Sequence, residues 1–297
     1  MKDSTRVVEA QKELIEQLLK NASSGESITP DTVYQIGNEV NRKLVGGLIE
    51  KIMLPGSEIM GYEHLEELHN RSKAGESCLL LVEHYSNFDI PAIFRLLERR
   101  GETGTAIADS IIAIAGMKLT VENPVVRAFT EAYTRIVIYP SRSLKQYEGT
   151  PNWDEEKQLS NNINRAALHA MIRAKHNGHI ILVFPSGTRY REGEPATKRG
   201  LPEMDSYLKS FDHVAFLGIA GNLLKVTDTM HHDEVTPDVM ILNASPVQSA
   251  KGFRTAAREN ATAEDLKQAT ADAVMQQLDD LHQQAQAVRR ERLASLG

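Results

Sequence analysis

One cysteine in 297 residues, no long apolar run and no surplus of basic residues set the outer limits of this chain. The lone thiol, Cys78, rules out an internal disulfide framework and any multi-cysteine metal site, and it fits a reducing compartment. The longest apolar stretches, such as residues 78–82, fall far short of the ~18 residues that a membrane span needs. The N-terminal segment MKDSTRVVEAQKELIEQ carries no apolar core of signal-peptide type. The chain therefore reads as neither exported by that route nor integral to a membrane. With 34 Lys and Arg against 40 Asp and Glu, the formal net charge is −6. Nucleic acid is thus not expected as a partner, because phosphate backbones are held by an excess of cations. What is present, 41% hydrophobic and 25% charged residues, is the composition of a globular protein of one large domain or two unequal ones.

The first fifty residues read as two helices. Val7, Val8, Leu14, Ile15, Leu18 and Leu19 share one helical face, and Val33, Ile36, Val40, Leu44 and Leu48 repeat at helical spacing after Thr29-Pro30, a capping residue followed by proline. A third short helix is expected from Tyr62 to about Ser72. From Ser77 the pattern changes to short apolar strands alternating with helices, which predicts an α/β domain with a mixed, largely parallel sheet flanked by helices. Candidate strands are residues 78–82, 105–108, 135–139, 179–184, 213–220 and 238–243; the clearest helices are 90–100, 124–133, 155–176 and 263–293. The division expected is a small N-terminal helical domain over 1–73 and an α/β catalytic domain over 74–297.

Two segments carry chemistry. In LLLVEHYSNFDIPAIFRLLERRG, His84 follows an apolar strand and Asp89 opens an amphipathic helix. Open α/β folds place their ligands at this edge of the sheet. A histidine whose Nδ1 is held by a carboxylate presents Nε2 to take a proton from a substrate hydroxyl. Taken alone, Asp89 reads equally well as a simple helix cap, with Pro91 close behind it. In HIILVFPSGTRYREGEP a second strand runs into a glycine-containing turn, Ser186-Gly187, followed by Arg189 and Arg191. Two guanidinium groups beside a turn rich in backbone N–H can hold a phosphate. A solvated basic loop, balanced by Glu192 and Glu194, is the plainer alternative. His231-His232-Asp233 is a sequence-local cluster of metal-ligand types, but adjacent residues seldom converge on one ion and a polar loop is the better reading.

Together these segments resemble the glycerolipid acyltransferases. His84-Tyr-Ser-Asn-Phe-Asp89 is similar to their HxxxxD signature, and Phe184-Pro-Ser-Gly-Thr-Arg189 to their later FPEGTR or PSGGR motif, about 100 residues on and in the same order. Within that superfamily the chain most resembles the soluble chloroplast-type glycerol-3-phosphate acyltransferases, which place a small helical domain ahead of the catalytic one. The resemblance spans roughly residues 77–247. It implies that His84 is the general base, that Asp89 orients it, and that Ser186, Gly187, Arg189 and Arg191 bind substrate. Arg142, in Ile138-Tyr-Pro-Ser-Arg142, matches a place where the family has basic residues near the substrate phosphate, although Arg142-Ser143 stands where a lysine and histidine would be expected.

The same resemblance implies glycerol 3-phosphate as acceptor and acyl carrier protein or acyl-CoA as donor. It implies no metal or other cofactor, and a cytoplasmic or plastid-stromal enzyme with peripheral membrane contact. Lys198-Arg199 with Arg95, Arg99 and Arg100 are candidates for docking an acidic carrier. Three rivals remain open on the residues: a 1-acylglycerol-3-phosphate acyltransferase, a serine hydrolase at Ser186, and a non-enzymatic anionic-lipid-binding module. The hydrolase fits poorly, because Phe-Pro-Ser-Gly-Thr lacks the first glycine of the G-x-S-x-G elbow.

Overall fold

A computed structural model of the chain describes residues 2–22, 27–117, 124–225, 234–259, 261 and 266–296. In chain order its elements begin with α1 (Lys2–Asn21), β1 (Tyr34–Gln35), α2 (Glu39–Ile52), β2 (Glu58–Met60), α3 (Tyr62–Lys73), β3 (Cys78–Val82), α4 (Asp89–Glu98) and α5 (Glu102–Ser110). There follow β4 (Ile111–Gly116), α6 (Pro124–Thr130), β5 (Arg135–Ile138), α7 (Ser141–Leu144), α8 (Trp153–His176), β6 (Ile180–Val183) and α9 (Met204–Ser210). The chain closes with β7 (His213–Ala220), β8 (Leu224–Lys225), β9 (Glu234–Val235), β10 (Ile241–Ala244), β11 (Gln248–Ser249), α10 (Ala250–Glu259) and α11 (Leu266–Ala294). The side chains of Val7 and Val8 and the His231-His232-Asp233 cluster lie outside the described residues.

The chain divides into two compact units, residues 1–47 with 112–173 and residues 48–111 with 174–297. In the second, β3 lies between β6 and β7 and is parallel to both, with Leu81 opposite Val183 and Phe216. The sheet continues from β7 to an antiparallel β10 and then to a parallel β2, and β11 also pairs with β7. All five residues of β3 are buried. That explains its unbroken apolar sequence: a central parallel strand covered on both faces has no polar side to show. In the first unit β4 and β5 are parallel and β1 is antiparallel to β5, with Tyr34 opposite Ile136. The mixed, largely parallel α/β fold expected from the alternation is therefore the fold observed.

Helix α11 packs on β7 and β10, and Gly218 sets how closely. A Cβ at Gly218 would stand 2.7 Å from the backbone nitrogen of His282 and 2.8 Å from the carbonyl carbon of Leu281. Both are backbone atoms of the facing helix, which cannot step aside as a flexible side chain could. Gly218→Ala is thus expected to lower stability by about 1–3 kcal/mol, the range for overpacking a close contact. Urea denaturation of wild type and variant checks it.

Three expectations need correction. The boundary at residue 73 is not where the chain divides: β2 pairs with β10 and α3 covers strands of the second unit, so residues 48–73 belong with that sheet. Residues 33–38 are not helical. Asn38 accepts hydrogen bonds from the amides of Val40 and Asn41 through its side chain and caps α2, which starts only at Glu39. The helical spacing from Val33 is accordingly not one buried stripe, since Val33 is buried while Ile36 and Val40 are exposed. Residues 105–108 form part of α5, and the strand comes later, at Ile111–Gly116. So short an apolar run carries no period that separates a strand from one buried side of a helix.

Candidate active site

β3 and β6 are parallel neighbours, so the turns that follow them leave from the same edge of the sheet. The first turn carries His84. Its Nδ1 lies 2.9 Å from Asp89 Oδ2, and that same oxygen accepts the amide N–H of Tyr85 at 2.6 Å and of Ser86 at 3.0 Å. Asp89 Oδ1 accepts the Ser86 hydroxyl at 3.2 Å. Asp89 is 2% exposed and is the first residue of α4, behind the N-cap residue Phe88. Its carboxylate is turned back into the 84–86 turn, which decides against the simple capping role. A carboxylate facing Nδ1 puts the imidazole hydrogen there and leaves the Nε2 lone pair as the basic site.

The second turn meets the first directly. The rings of His84 and Phe184 stack with centroids 3.9 Å apart and planes inclined by 11°. The Tyr190 amide donates to the His84 carbonyl at 2.8 Å, and Tyr190 stands between the two arginines of the loop. Gly187 has φ +62°, in the left-handed region, and a Cβ there would come within 2.5 Å of Leu201 Cδ1. Glycine at this turn is thus required by backbone conformation. Ser186 is buried and its hydroxyl donates to the Thr188 carbonyl at 2.7 Å, so that Oγ stabilises the turn. Arg189 is half-buried and Arg191 exposed, with Nη1 of Arg191 3.9 Å from Glu194. Arg142 lies in the other unit, exposed on α7.

Some of the basic residues considered for carrier docking are paired with carboxylates. Arg95 and Arg99 both close on Glu50, Lys198 pairs with Asp279, and Arg100 lies over the Tyr62 ring and donates to the Ile59 carbonyl. Arg199 is exposed. Among the described residues no group of three or more His, Cys, Asp or Glu is gathered as a metal site, and no helix is long and apolar enough to cross a membrane. Burial pushes the Cys78 thiol up to about 12, far from the range of a reactive thiolate.

A cluster that sequence reasoning missed lies beside His84. Glu83 is 3% exposed, and its carboxylate accepts the Tyr85 hydroxyl and the Ile219 amide, each at 2.8 Å, with His282 Nδ1 at 3.2 Å. The available signal was a carboxylate placed at the end of the apolar run CLLLV. Burial, then the Glu83 charge, hold the Tyr85 phenol far above its ordinary range, so it stays protonated and donates. Burial opposes a charge on His282, but the Glu83 carboxylate and the Ile219 carbonyl outweigh it and raise its pKa.

A raised folded-state pKa contributes stability that is full below the unfolded value of about 6.5 and is lost as pH rises through the folded value. The stability gap between wild type and His282→Gln should therefore be larger at pH 6 than at pH 8. Chemical denaturation at both values checks the sign.

The site thus defines a class first: an α/β protein holding an oriented histidine–aspartate pair with a basic loop pinned beside it. No protein-family profile matches the chain. Over 162 residues, 54% of the chain, it is 26% identical to the chloroplastic glycerol-3-phosphate acyltransferase of Spinacia oleracea. That match spans 31% of the spinach protein, less than a third of its length. A solved structure of the 1-acyl-sn-glycerophosphate acyltransferase PlsC from Thermotoga maritima aligns over 81% of this chain and 80% of its own, at 18% identity and a TM-score of 0.37.

Proposed function

We propose that this protein is a glycerolipid acyltransferase, moving a fatty acyl chain from an acyl thioester to the sn-1 hydroxyl of glycerol 3-phosphate. The observation that carries the reading is the His84–Asp89 pair in direct contact, through the Phe184 stack and the Tyr190 amide, with the turn that bears Arg189 and Arg191. Similarity to the spinach enzyme supports the same acceptor.

The chemistry follows from these groups. His84 Nε2 takes the hydroxyl proton as the glycerol oxygen attacks the thioester carbonyl carbon. The tetrahedral intermediate collapses by breaking the C–S bond, and the imidazolium returns the proton to the departing thiolate. A positioned imidazole base is worth about 10²- to 10⁴-fold in rate, and a thioester is activated enough to need no covalent enzyme intermediate. Asp89 holds the imidazole tautomer and stabilises its cation. Arg189 and Arg191 clamp the acceptor phosphate with charge-assisted hydrogen bonds. Arg142 enters this proposal on resemblance alone.

The test is an assay of the purified protein with one acyl donor and two acceptors, glycerol 3-phosphate and 1-acylglycerol 3-phosphate. Preference for the first is the expected result. Preference for the second would move the enzyme one hydroxyl along the glycerol backbone. Tight sedimentation with anionic vesicles and no transfer to either acceptor would replace the enzyme with a lipid-binding module.

A further inference from the structure

A carboxylate taken out of water is costly unless donors surround it. Glu83 is such a group, and the proposed proton transfers do not use it. Its partner His282 Nδ1 faces the Ile219 carbonyl at 2.7 Å, the Tyr85 hydroxyl oxygen at 3.0 Å and Glu83 Oε2. A carbonyl and a carboxylate can only accept, so this nitrogen carries a hydrogen and the tyrosine gives its own to Glu83. Every member is then satisfied, the condition under which a buried polar network gives rigidity.

Its position relative to His84 suggests what the rigidity serves. Glu83 and Tyr85 flank His84 in the turn that follows β3. Both flanking side chains anchor to β7 and α11, while the imidazole turns toward Asp89 and Phe184. The tie reaches the proposed reacting groups at Asp89 Oδ2, the oxygen that faces His84 Nδ1 and accepts the Tyr85 amide N–H. The Tyr85 ring also meets Tyr190 edge-on at 5.9 Å, next to the amide that holds the His84 carbonyl.

We propose that Glu83, Tyr85 and His282 are positioning residues that lock the turn bearing His84 from behind, making the C-terminal helix α11 part of the catalytic apparatus. The proposal rests on the reading of His84 as the base. Its structural half, a fixed imidazole, can be measured without any substrate.

Two variants reach the network from opposite ends: Tyr85→Phe, which removes one oxygen and keeps the ring, and His282→Gln. In the full chain, nitrogen NMR of the His84 imidazole, assigned through its loss in His84→Ala, should report a hydrogen fixed on Nδ1 in wild type. Both variants should broaden or shift that signature while circular dichroism shows an intact fold. In the acyl-transfer assay kcat should fall about tenfold to a hundredfold, the scale of a misplaced catalytic group, with both KM values changed less than about twofold. The effect of Tyr85→Phe should largely vanish in an Asp89→Ala background, because the path runs through that carboxylate.

An unmoved His84 signature in a folded variant, or an unchanged kcat, would overturn the positioning role, as would loss of folding in both variants. If the signature responds but wild type transfers no acyl group, the functional reading fails and the positioning stands. Normal transfer with an unresponsive signature is the reverse.

Discussion

His84→Ala should lower acyl transfer at least about a hundredfold without unfolding the protein, because it removes the imidazole proposed as the general base. The side chain is largely but not wholly buried, at 15% exposure, and its loss forfeits a ring stack with Phe184 rather than a core contact. Stability should consequently fall far less than activity. Asp89→Asn should cost nearly as much activity. An amide whose oxygen takes the place of Asp89 Oδ2 still accepts from the Tyr85 and Ser86 N–H groups and from His84 Nδ1, but it carries no negative charge to stabilise the imidazolium. Initial rates at saturating acceptor, with unfolding curves for each variant, provide the measurement. A folded His84→Ala protein with near-wild-type rates would remove His84 from the mechanism.

Arg189→Ala and Arg191→Ala should fail differently, raising KM for glycerol 3-phosphate while leaving KM for the acyl donor nearly unchanged. A charged hydrogen bond to phosphate is worth about 1.5–3 kcal/mol, which corresponds to a shift on the order of ten- to a hundredfold. The loop that carries them is held at the His84 carbonyl by the Tyr190 amide, so losing the clamp should also misplace the hydroxyl and lower kcat. Free glycerol should be a poor acceptor for wild type for the same reason. Normal acceptor KM in both variants with a weakened donor would reassign the arginines to the donor's phosphate groups and reverse the substrate orientation.

The sequence is informative where one physical signal dominates. β3 and β7 are legible as strands because buried central strands carry continuous apolar runs, and residues 213–220 match to the residue. α8 is legible because a long helix repeats its pattern over many turns. Short elements are where the reading failed. The run 105–108 has no period of its own, and residues 33–38 owe their conformation to Asn38 and to pairing with β5, a contact made about 100 residues away. α9, at seven residues, went unread for a similar reason of length, and α10 went unread as well.

At the site, residue types and their spacing alone singled out His84, Asp89 and the glycine turn with its two arginines, because each piece of that chemistry is local to a strand end. Whether Asp89 caps a helix or holds an imidazole is not local: both need the same residue there, and only the folded turn shows its carboxylate facing backward. The stack of Phe184 on His84 joins two segments that are separate in sequence, and follows from the parallel pairing of β3 with β6. Ser186 looks available on paper, and the fold shows its O–H donated to the Thr188 carbonyl of its own turn. The Glu83–Tyr85–His282 network unites a strand end with a helix about 200 residues later, which no spacing rule could connect. Sequence by itself determined the fold class and the candidate chemistry, since those follow from local pattern. Tertiary structure alone decided which groups touch, because contact depends on how distant segments pack.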